Sequence, residues 1–211
     1  MVTGTPVGGA FLYGDRQKAR AELGIGEEPL IISAWGSLGA REMNKKIARF
    51  MTREAQDGLY RHVHATGSFG WRWMPAYVRD QGLNLEQYPW LDMREYIYNM
   101  PQLMAAADLI LCRAGAATIS EVCASGTPCI MIPSPNVTDN HQEKNARVLE
   151  KYGAAVVVRE AECDGDSLYE TAKALLSDPA RLKEMRMAAR RLAVVDAAEQ
   201  ILAVIRELAG A

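Results

Sequence analysis

The stretch DLILCRAGAATISEVCASGTPCIMIPSPNVTDNHQ, residues 108–142, decides the fold class of this chain. Residues 109–112 (LILC) are apolar at successive positions, which is typical of a parallel strand covered on both faces. A glycine-containing turn at 113–118 (RAGAAT) then leads into a helical pattern, and residues 129–132 (CIMI) form a second apolar run. The segment therefore predicts a strand, a crossover helix and a parallel strand in one βαβ unit.

Apolar runs and helical spacing alternate on both sides of that segment as well. They predict one Rossmann-like, doubly wound α/β domain over residues 1–211, with a leading segment and helix at 1–28 and a ligand at the carboxyl ends of its parallel strands. The predicted strands are 29–34, 60–66, 91–97, 109–112, 129–132 and 154–158, and the predicted helices are 41–55, 73–82, 101–107, 141–152 and most of the chain from 167 on.

The composition is that of an ordinary globular protein, with 49% hydrophobic and 24% charged residues among 211. Because the formal net charge is only −2, no nucleic-acid partner is expected. We expect neither a signal peptide nor a membrane span. The cysteines contain no C-x-x-C pair and are expected to be buried and reduced in the cytosol; they are Cys112, Cys123, Cys129 and Cys163.

Two glycine-containing turns follow predicted strands. The first, residues 36–40 (GSLGA), offers the Ser37 hydroxyl but matches neither G-x-G-x-x-G nor the Walker pattern, which disfavours a nicotinamide or ATPase site. The second, around Gly115, leaves backbone N–H groups at a helix N-terminus, an arrangement that suits a diphosphate. Glu121 follows in that helix, at reach of a ribose diol. These features together predict a nucleotide-sugar site.

Two motifs near this site also have a purely structural interpretation. Thr118 and Glu121 have the spacing of a capping box in which the threonine is the N-cap. Asp139 and Gln142 have the spacing of a second N-cap pair, although His141 and Gln142 are also placed to meet sugar hydroxyls. The sequence leaves both interpretations of each motif open.

Two further groups of residues are given structural roles. His62 and His64 alternate along a predicted strand and so share a face, but no third ligand is near in sequence and no metal site is predicted. The basic run at 181–191 is interleaved with apolar residues. It is interpreted as the solvated face of an amphipathic helix rather than as a membrane contact.

Five motifs carry a resemblance to a known family: 3–7 (TGTPV), 36–40 (GSLGA), 113–121 (RAGAATISE), 126–128 (GTP) and 139–146 (DNHQEKNA). From residue 2 to its C-terminal helices, the chain resembles the C-terminal, donor-binding domain of the MurG family, in glycosyltransferase family 28. The resemblance implies one half of a GT-B fold. It also implies transfer of N-acetylglucosamine from UDP-N-acetylglucosamine to lipid I, which gives lipid II in peptidoglycan synthesis.

The resemblance further implies an inverting reaction without a metal or other cofactor, in which backbone N–H groups and a helix dipole hold the charge of the leaving UDP. Ser37 is implied to contact the diphosphate, the Ile97 backbone to read the uracil, and Glu121 to bind the ribose hydroxyls. His141 and Gln142 are implied to bind the hydroxyls of N-acetylglucosamine. The remaining implied residues line the phosphates and the nucleoside, and they are Gly36, Gly39, Gly115, Ala116, Ala117 and Thr118.

The chain departs from the family pattern at three positions and in its extent. Thr5 stands where asparagine is usual, Gly8 where arginine is usual, and Trp35 where glycine is usual. Trp35 is expected to pack under the first turn or to narrow it. The N-terminal acceptor domain is missing, so the catalytic residues are expected there, and this chain by itself is expected to bind the donor without turnover.

The implied partners are the missing acceptor domain, lipid I through that domain, and the cytoplasmic face of the membrane, where the full-length protein is peripheral. The helix at 197–211 is expected to cross to the missing domain, and the apolar face left behind favours self-association. Two alternatives remain open. One is an enzyme like UDP-N-acetylglucosamine 2-epimerase, which shares this fold, and the other is a non-catalytic nucleotide-sugar-binding subunit of a split glycosyltransferase.

Overall fold

The computed structural model describes residues 3–209, so 1–2 and 210–211, the latter part of the predicted helix 197–211, lie outside the described part. Within it, the strands are β1 (Leu30–Ala34), β2 (Arg61–Ala65), β3 (Leu91–Arg94), β4 (Leu109–Cys112), β5 (Cys129–Met131) and β6 (Ala155–Val157). They form one parallel sheet in the order β3-β2-β1-β4-β5-β6. The chain order reverses between β1 and β4, the point at which doubly wound sheets bind ligands. The predicted fold class is confirmed.

Helices connect the strands and cover both faces of the sheet. Several begin with a side-chain cap: Asp15, Asp164 and Asp178 each accept a hydrogen bond from a backbone N–H of the helix that follows. The helices are α1 (Gly9–Leu12), α2 (Arg16–Glu22), α3 (Arg41–Asp57), α4 (Ser68–Trp71), α5 (Met74–Asp80), α6 (Met100–Ala106), α7 (Ala116–Ser125), α8 (His141–Lys151), α9 (Gly165–Leu176), α10 (Pro179–Arg191) and α11 (Ala197–Ala209).

Two apolar layers hold the helices against the sheet. Ile110 and Cys112 face the layer that contains α2, α6, α7, α8 and α10, whereas Leu109 and Leu111 face the layer that contains α3, α5 and α9. Successive side chains of a strand point to opposite faces, so both faces of β4 are buried and the run 109–112 is apolar at every position.

The predicted strand 91–97 is wrong in its second half. β3 ends at Arg94 because the neighbouring chain soon turns away: the N–H of Gly67 still donates to the carbonyl oxygen of Glu95 at 3.0 Å, but the N–H of Ser68 donates to that of Ser37 instead. The chain then crosses the carboxyl edge of the sheet, where Ile97 is buried and Tyr98 is exposed. The short helix α4 was not predicted, since four residues are too few to show helical periodicity.

His62 and His64 point into the layer beneath α3. Ser33 Oγ lies 2.7 Å from His62 Nε2 and 2.6 Å from His64 Nδ1, and Glu54 Oε2 lies 2.6 Å from His62 Nδ1. All four side chains are fully buried. Burial lowers the pKa of His64 to about 3 and raises the pKa of Glu54. The two histidines therefore belong to a buried hydrogen-bond network.

Three other sequence-based expectations concern the described residues. All four cysteines are buried and free of disulfides. No group of three or more metal-ligating side chains occurs among residues 3–209. Of the helices in that range, none combines the length and the apolar character that crossing a bilayer requires.

Candidate functional site

A cleft of about 340 Å³ opens at the carboxyl edge of the sheet, between the turns that follow β1 and β4. This is the switch point of the strand order, where neither turn covers the other. One wall is apolar and the other carries polar side chains from α7 and α8. The cleft is lined by Ala34, Trp35, Gly36, Ser37, Ala65, Tyr96, Ile97, Met100, Met104, Ile110, Cys112, Arg113, Gly115, Thr118, Glu121 and Gln142.

The N-terminus of α7 opens into this cleft without a side-chain cap. Gly115 is the N-cap residue and Ala116 the first helical residue, so Thr118 is the third residue of the helix rather than its cap. The capping-box interpretation of Thr118 and Glu121 is therefore wrong. The helix begins earlier because the turn after β4 ends at Gly115. The backbone N–H groups of its first turn have no side chain of the described residues bonded to them, and Gly115 and Thr118, on either side of Ala116 and Ala117, line the cleft.

Glu121 stands one helical turn after Thr118, so both side chains face the cleft. No hydrogen bond to the Glu121 carboxylate comes from any group in the part of the chain that the structure describes, and partial burial raises the pKa of this carboxyl. Burial, with Glu121 nearby, raises the pKa of the Cys112 thiol to about 12. Glu121 is therefore a poorly solvated acceptor that is available to a ligand.

Gln142 connects the turn after β4 with the loop after β5 through its carbonyl oxygen. Its Oε1 accepts hydrogen bonds from the backbone N–H of Ser134 at 3.0 Å and of Ala114 at 3.3 Å. Both partners are donors, so the orientation of the amide is fixed by chemistry. The side-chain NH₂ group of Gln142 has no hydrogen-bond partner among residues 3–209 and can donate to a ligand.

The interpretation of Asp139 and Gln142 as an N-cap pair is also wrong. Helix α8 begins at His141 after Asn140, and no side chain caps it among the described residues. Asp139 and Asn140 adopt left-handed conformations, with φ of 55° and 50°, and Asp139 pairs with Lys144 at 2.6 Å. These two residues turn the chain so that Gln142 points back toward β4 instead of toward its own helix start.

The two glycines of the first turn have different roles. Gly36 and Gly39 both have positive φ, at 87° and 80°, and Ser37 between them is exposed. A Cβ at Gly36 would meet nothing within 4 Å, whereas one at Gly39 would lie 2.0 Å from the carbonyl oxygen of Thr66. Gly36 thus leaves room beside the cleft, and Gly39 lets the turn pack directly on the backbone that follows β2.

Most of the predicted site residues come together at the cleft, and four lie outside its lining. Ala116 and Ala117 are exposed in the first turn of α7, and Gly39 packs on Thr66. His141 is exposed, with Nδ1 2.9 Å from the carbonyl oxygen of Thr138. The predicted residues that line the cleft are Gly36, Ser37, Ile97, Gly115, Thr118, Glu121 and Gln142.

The family model described as the glycosyltransferase family 28 C-terminal domain matches residues 31–201. The chain belongs to this family. Two curated relatives bear the name UDP-N-acetylglucosamine--N-acetylmuramyl-(pentapeptide) pyrophosphoryl-undecaprenol N-acetylglucosamine transferase. The one from Acetivibrio thermocellus is 38% identical over 98% of this chain and 55% of its own length, and the one from Ruminiclostridium cellulolyticum is 39% identical over 99% and 56%. The chain thus spans a little over half the length of the relatives it matches.

Solved structures place this family 28 domain among GT-B glycosyltransferases. Acinetobacter baumannii MurG superposes with a TM-score of 0.74 at 25% identity, over 94% of this chain and 55% of that one. A putative UDP-N-acetylglucosamine 2-epimerase from Listeria monocytogenes has a TM-score of 0.60 at 16% identity, over 86% of this chain and 45% of that one. The second likeness shows the shared fold alone.

Arg113 is a cleft residue of this family 28 domain whose role was not predicted from sequence. It pairs with Glu160 at 2.7 Å, and its Nη1 donates to the carbonyl oxygens of Ile132 and Pro133. Its guanidinium also lies over the ring of Trp35, 5.8 Å from the ring centre. Trp35 is only 4% exposed. The tryptophan that stands where glycine is usual is therefore packed beneath the first turn. Arg113 lies within the motif 113–121, but its partner Glu160 is remote in sequence.

Proposed function

We propose that this chain is the donor-binding half of an N-acetylglucosaminyltransferase of peptidoglycan synthesis. The full-length protein would move N-acetylglucosamine from UDP-N-acetylglucosamine to lipid I and form lipid II. The observation that carries the proposal is the proximity, at one cleft, of two groups that no side chain of residues 3–209 bonds: the N-terminus of α7 and the carboxylate of Glu121. A nucleoside diphosphate needs both, because its phosphates require N–H donors and its ribose diol requires an acceptor.

In this proposal the diphosphate lies at the N-terminus of α7. The N–H groups of Ala116, Ala117 and Thr118 belong to the first turn of that helix, where the positive end of the dipole favours an anion. Gly115 and Gly36 allow close approach, since a Cβ added at either would meet nothing within 4 Å. The Ser37 hydroxyl donates from the opposite turn.

In the remaining proposed contacts, different parts of the donor lie against the apolar and the polar walls of the cleft. The uracil lies against the apolar wall, where the backbone of Ile97 reads its edge, and Glu121 accepts from the ribose hydroxyls. The side-chain NH₂ of Gln142 donates to a hydroxyl of the N-acetylglucosamine, with His141 beside it. A charged acceptor for the diol favours a ribonucleotide sugar, and the printed names of the relatives favour UDP-N-acetylglucosamine among these.

The proposed reaction is an inverting transfer that needs no obligatory metal or other cofactor. An acceptor hydroxyl attacks the anomeric carbon while the bond to UDP breaks, and the charge that grows on UDP is held by the α7 N-terminus and Ser37. The catalytic residues lie in the acceptor domain. This chain by itself therefore binds the donor without turnover.

The partners in the proposal are that acceptor domain and, through it, lipid I. The full-length protein works at the cytoplasmic face of the membrane, as a peripheral protein, and its product supports cell shape and division. The printed names of the curated relatives and their coverage of this chain support this assignment. Those names are the reason to prefer a transferase over an epimerase or a non-catalytic subunit.

The test is the melting temperature of the chain with UDP-N-acetylglucosamine, UDP-glucose, UDP or ADP. A ligand at about 100 times its Kd stabilises a fold by about 2.7 kcal/mol, which a melting curve resolves. We expect stabilisation by the uridine nucleotides and not by ADP. An equal response to ADP, or none to any of the four ligands, contradicts a uridine-specific site. Release of UDP and of the 2-epimer from the donor alone would instead identify an epimerase.

A further inference from the structure

A second surface at the same edge of the sheet exposes large apolar side chains. Phe69 and Trp71 of α4 are 57% and 40% exposed, and Leu38 of the neighbouring turn is 56% exposed. We call these three residues, with Arg41 and Arg72 beside them, the α4 surface. None of the five lines the donor cleft. The surface is therefore a feature separate from the proposed donor site.

The α4 surface stands on a rigid base. The backbone N–H groups of Ser68 and Phe69 donate to the carbonyl oxygens of Ser37 and Leu38, at 3.0 and 3.3 Å. Behind them, Gly39 and Gly67 pack backbone to backbone, since a Cβ at Gly67 would lie 2.1 Å from the nitrogen of Gly39. No side chain fits between the two turns, and the rings of Phe69 and Trp71 remain exposed.

Two guanidinium groups flank the aromatic rings. Arg72 lies over the ring of Phe69 at 5.6 Å, and Arg41 lies over the ring of Trp73 at 4.9 Å. Neither arginine pairs with a carboxylate anywhere in residues 3–209, and Glu42, next to Arg41, pairs with Lys45 at 2.9 Å. The α4 surface thus combines exposed aromatic groups with two unpaired positive charges.

We propose that the α4 surface contacts an anionic lipid bilayer. Tryptophan and phenylalanine favour the boundary between acyl chains and headgroups, and arginines beside them pair with lipid phosphates. The chain has a net charge of −2, so the attraction comes from this local pair of arginines. The resemblance to the MurG family assigns membrane contact mainly to the family's N-terminal domain, whereas this surface lies on the donor-binding domain.

The size of the surface favours a bilayer over a folded protein partner. The groove between α4 and the first turn measures about 270 Å³, and α4 has only four residues. A stable protein interface buries about 800 Å² on each partner, which a single short helix does not supply. A bilayer needs only a few inserted side chains and a few phosphate contacts. Leu38 shares its turn with Ser37, so a membrane here would lie beside the mouth of the cleft.

The experiment measures co-sedimentation of the chain with vesicles, in the absence of any nucleotide. We expect binding to vesicles of phosphatidylcholine with phosphatidylglycerol and little binding to phosphatidylcholine alone. Replacing both arginines (Arg41→Gln with Arg72→Gln) should lower the partition coefficient about 30-fold. Phe69→Ser with Trp71→Ser should also abolish most binding. The matched control is Lys183→Gln with Arg191→Gln, which removes two exposed charges from α10 and should leave binding unchanged.

A second measurement uses the unchanged chain, so that it does not depend on the folding of a double variant. Lipids brominated on their acyl chains should quench tryptophan fluorescence, and Trp71→Phe should lower this quenching while keeping an aromatic ring. Trp73 is half-buried in the same groove and accounts for the quenching that remains. Trp35, at 4% exposure, is too deeply buried to contribute.

Three results would overturn the proposal. They are equal binding to both vesicle types, a loss of binding confined to the α10 control, and a dimer in light scattering that the α4 variants convert to monomers. The last result would make the surface an interface between copies of this chain. Vesicle binding is measured without nucleotide, so its outcome does not depend on the proposed donor function.

Discussion

Gln142 accepts a hydrogen bond from the backbone N–H of Ser134 at 3.0 Å, and this bond commits its carbonyl oxygen before any ligand arrives. The same oxygen also accepts from Ala114, so one side chain connects the turn after β4 with the loop after β5. The amide end that remains is a donor only. The carbonyl oxygen of Gln142 therefore has a structural role and its NH₂ group a proposed ligand-binding role, and two substitutions distinguish these roles.

We expect Gln142→Ala to lower the free energy of unfolding by about 1–2 kcal/mol, because two backbone donors lose their acceptor. Gln142→Glu keeps an acceptor and should stay within about 0.5 kcal/mol of the original chain. Both variants should lose the preference for UDP-N-acetylglucosamine over UDP, since neither has the NH₂ donor. Urea unfolding and titration calorimetry measure the two effects. Equal destabilisation by both substitutions would contradict the acceptor role.

Glu121→Ala should weaken the binding of uridine nucleotides about tenfold or more, because a hydrogen bond to a charged acceptor contributes about 1.5–3 kcal/mol. Titration calorimetry with UDP gives the dissociation constants. Ser120→Ala, a neighbouring change on α7 that lies outside the cleft lining, is the control and should bind normally. An unchanged affinity for UDP in Glu121→Ala would show that this carboxylate does not bind the ribose.

The same carboxylate should cost stability in the empty protein. Its pKa is raised in the folded state, so the fold prefers the protonated form, and the penalty is present near neutral pH and disappears as pH falls below the ordinary value of 4.5. Glu121→Gln should therefore be more stable than the original chain near pH 7, with a difference that vanishes toward pH 4. Parallel curves of unfolding free energy against pH would show that the carboxylate pays no such penalty.

His64 should make the fold sensitive to acid. Its pKa is lowered from 6.5 to about 3 by burial, so below pH 6.5 the unfolded chain binds a proton that the folded chain does not. Stability should fall as pH decreases through this window, with His64 contributing up to about 1.4 kcal/mol per pH unit. His64→Gln should flatten the slope by that amount. An unaltered slope would mean that His64 is protonated in the folded protein.

Gly36 and Gly39 offer a matched pair for backbone packing. Gly36→Ala introduces only the strain of a positive φ, about 1–2 kcal/mol, because nothing lies within 4 Å of the new methyl group. Gly39→Ala adds a collision between the new methyl group and the carbonyl oxygen of Thr66, at 2.0 Å. It should lower the free energy of unfolding by about 3 kcal/mol or more beyond the loss in Gly36→Ala. Chemical denaturation compares the two variants. Similar losses would indicate that the two turns separate easily.

The strands could be predicted from sequence because a continuous apolar run by itself indicates a strand that is buried on both faces. The run 109–112 needs no remote partner to be recognised, and neither does the glycine that ends it. Cap positions were not predictable in the same way. Thr118 and Glu121 fit a capping box, but the helix starts where the turn after β4 ends, which tertiary structure decides. Likewise, the partners of Arg113 and Gln142 are remote in sequence, and no local pattern identifies them.

The uncapped start of α7 makes any bound anion a structural component of the protein. Helix α9 has Asp164 as its N-cap, and the carboxylate accepts a hydrogen bond from a backbone N–H of the first turn. The N-cap of α7 is Gly115, which has no side chain, so a ligand in the cleft would have to accept the corresponding hydrogen bonds. Filling the site should slow amide hydrogen exchange at the first turn of the helix and shift the opening of that turn toward the closed state. The occupied protein should therefore resist limited proteolysis at this turn better than the empty protein.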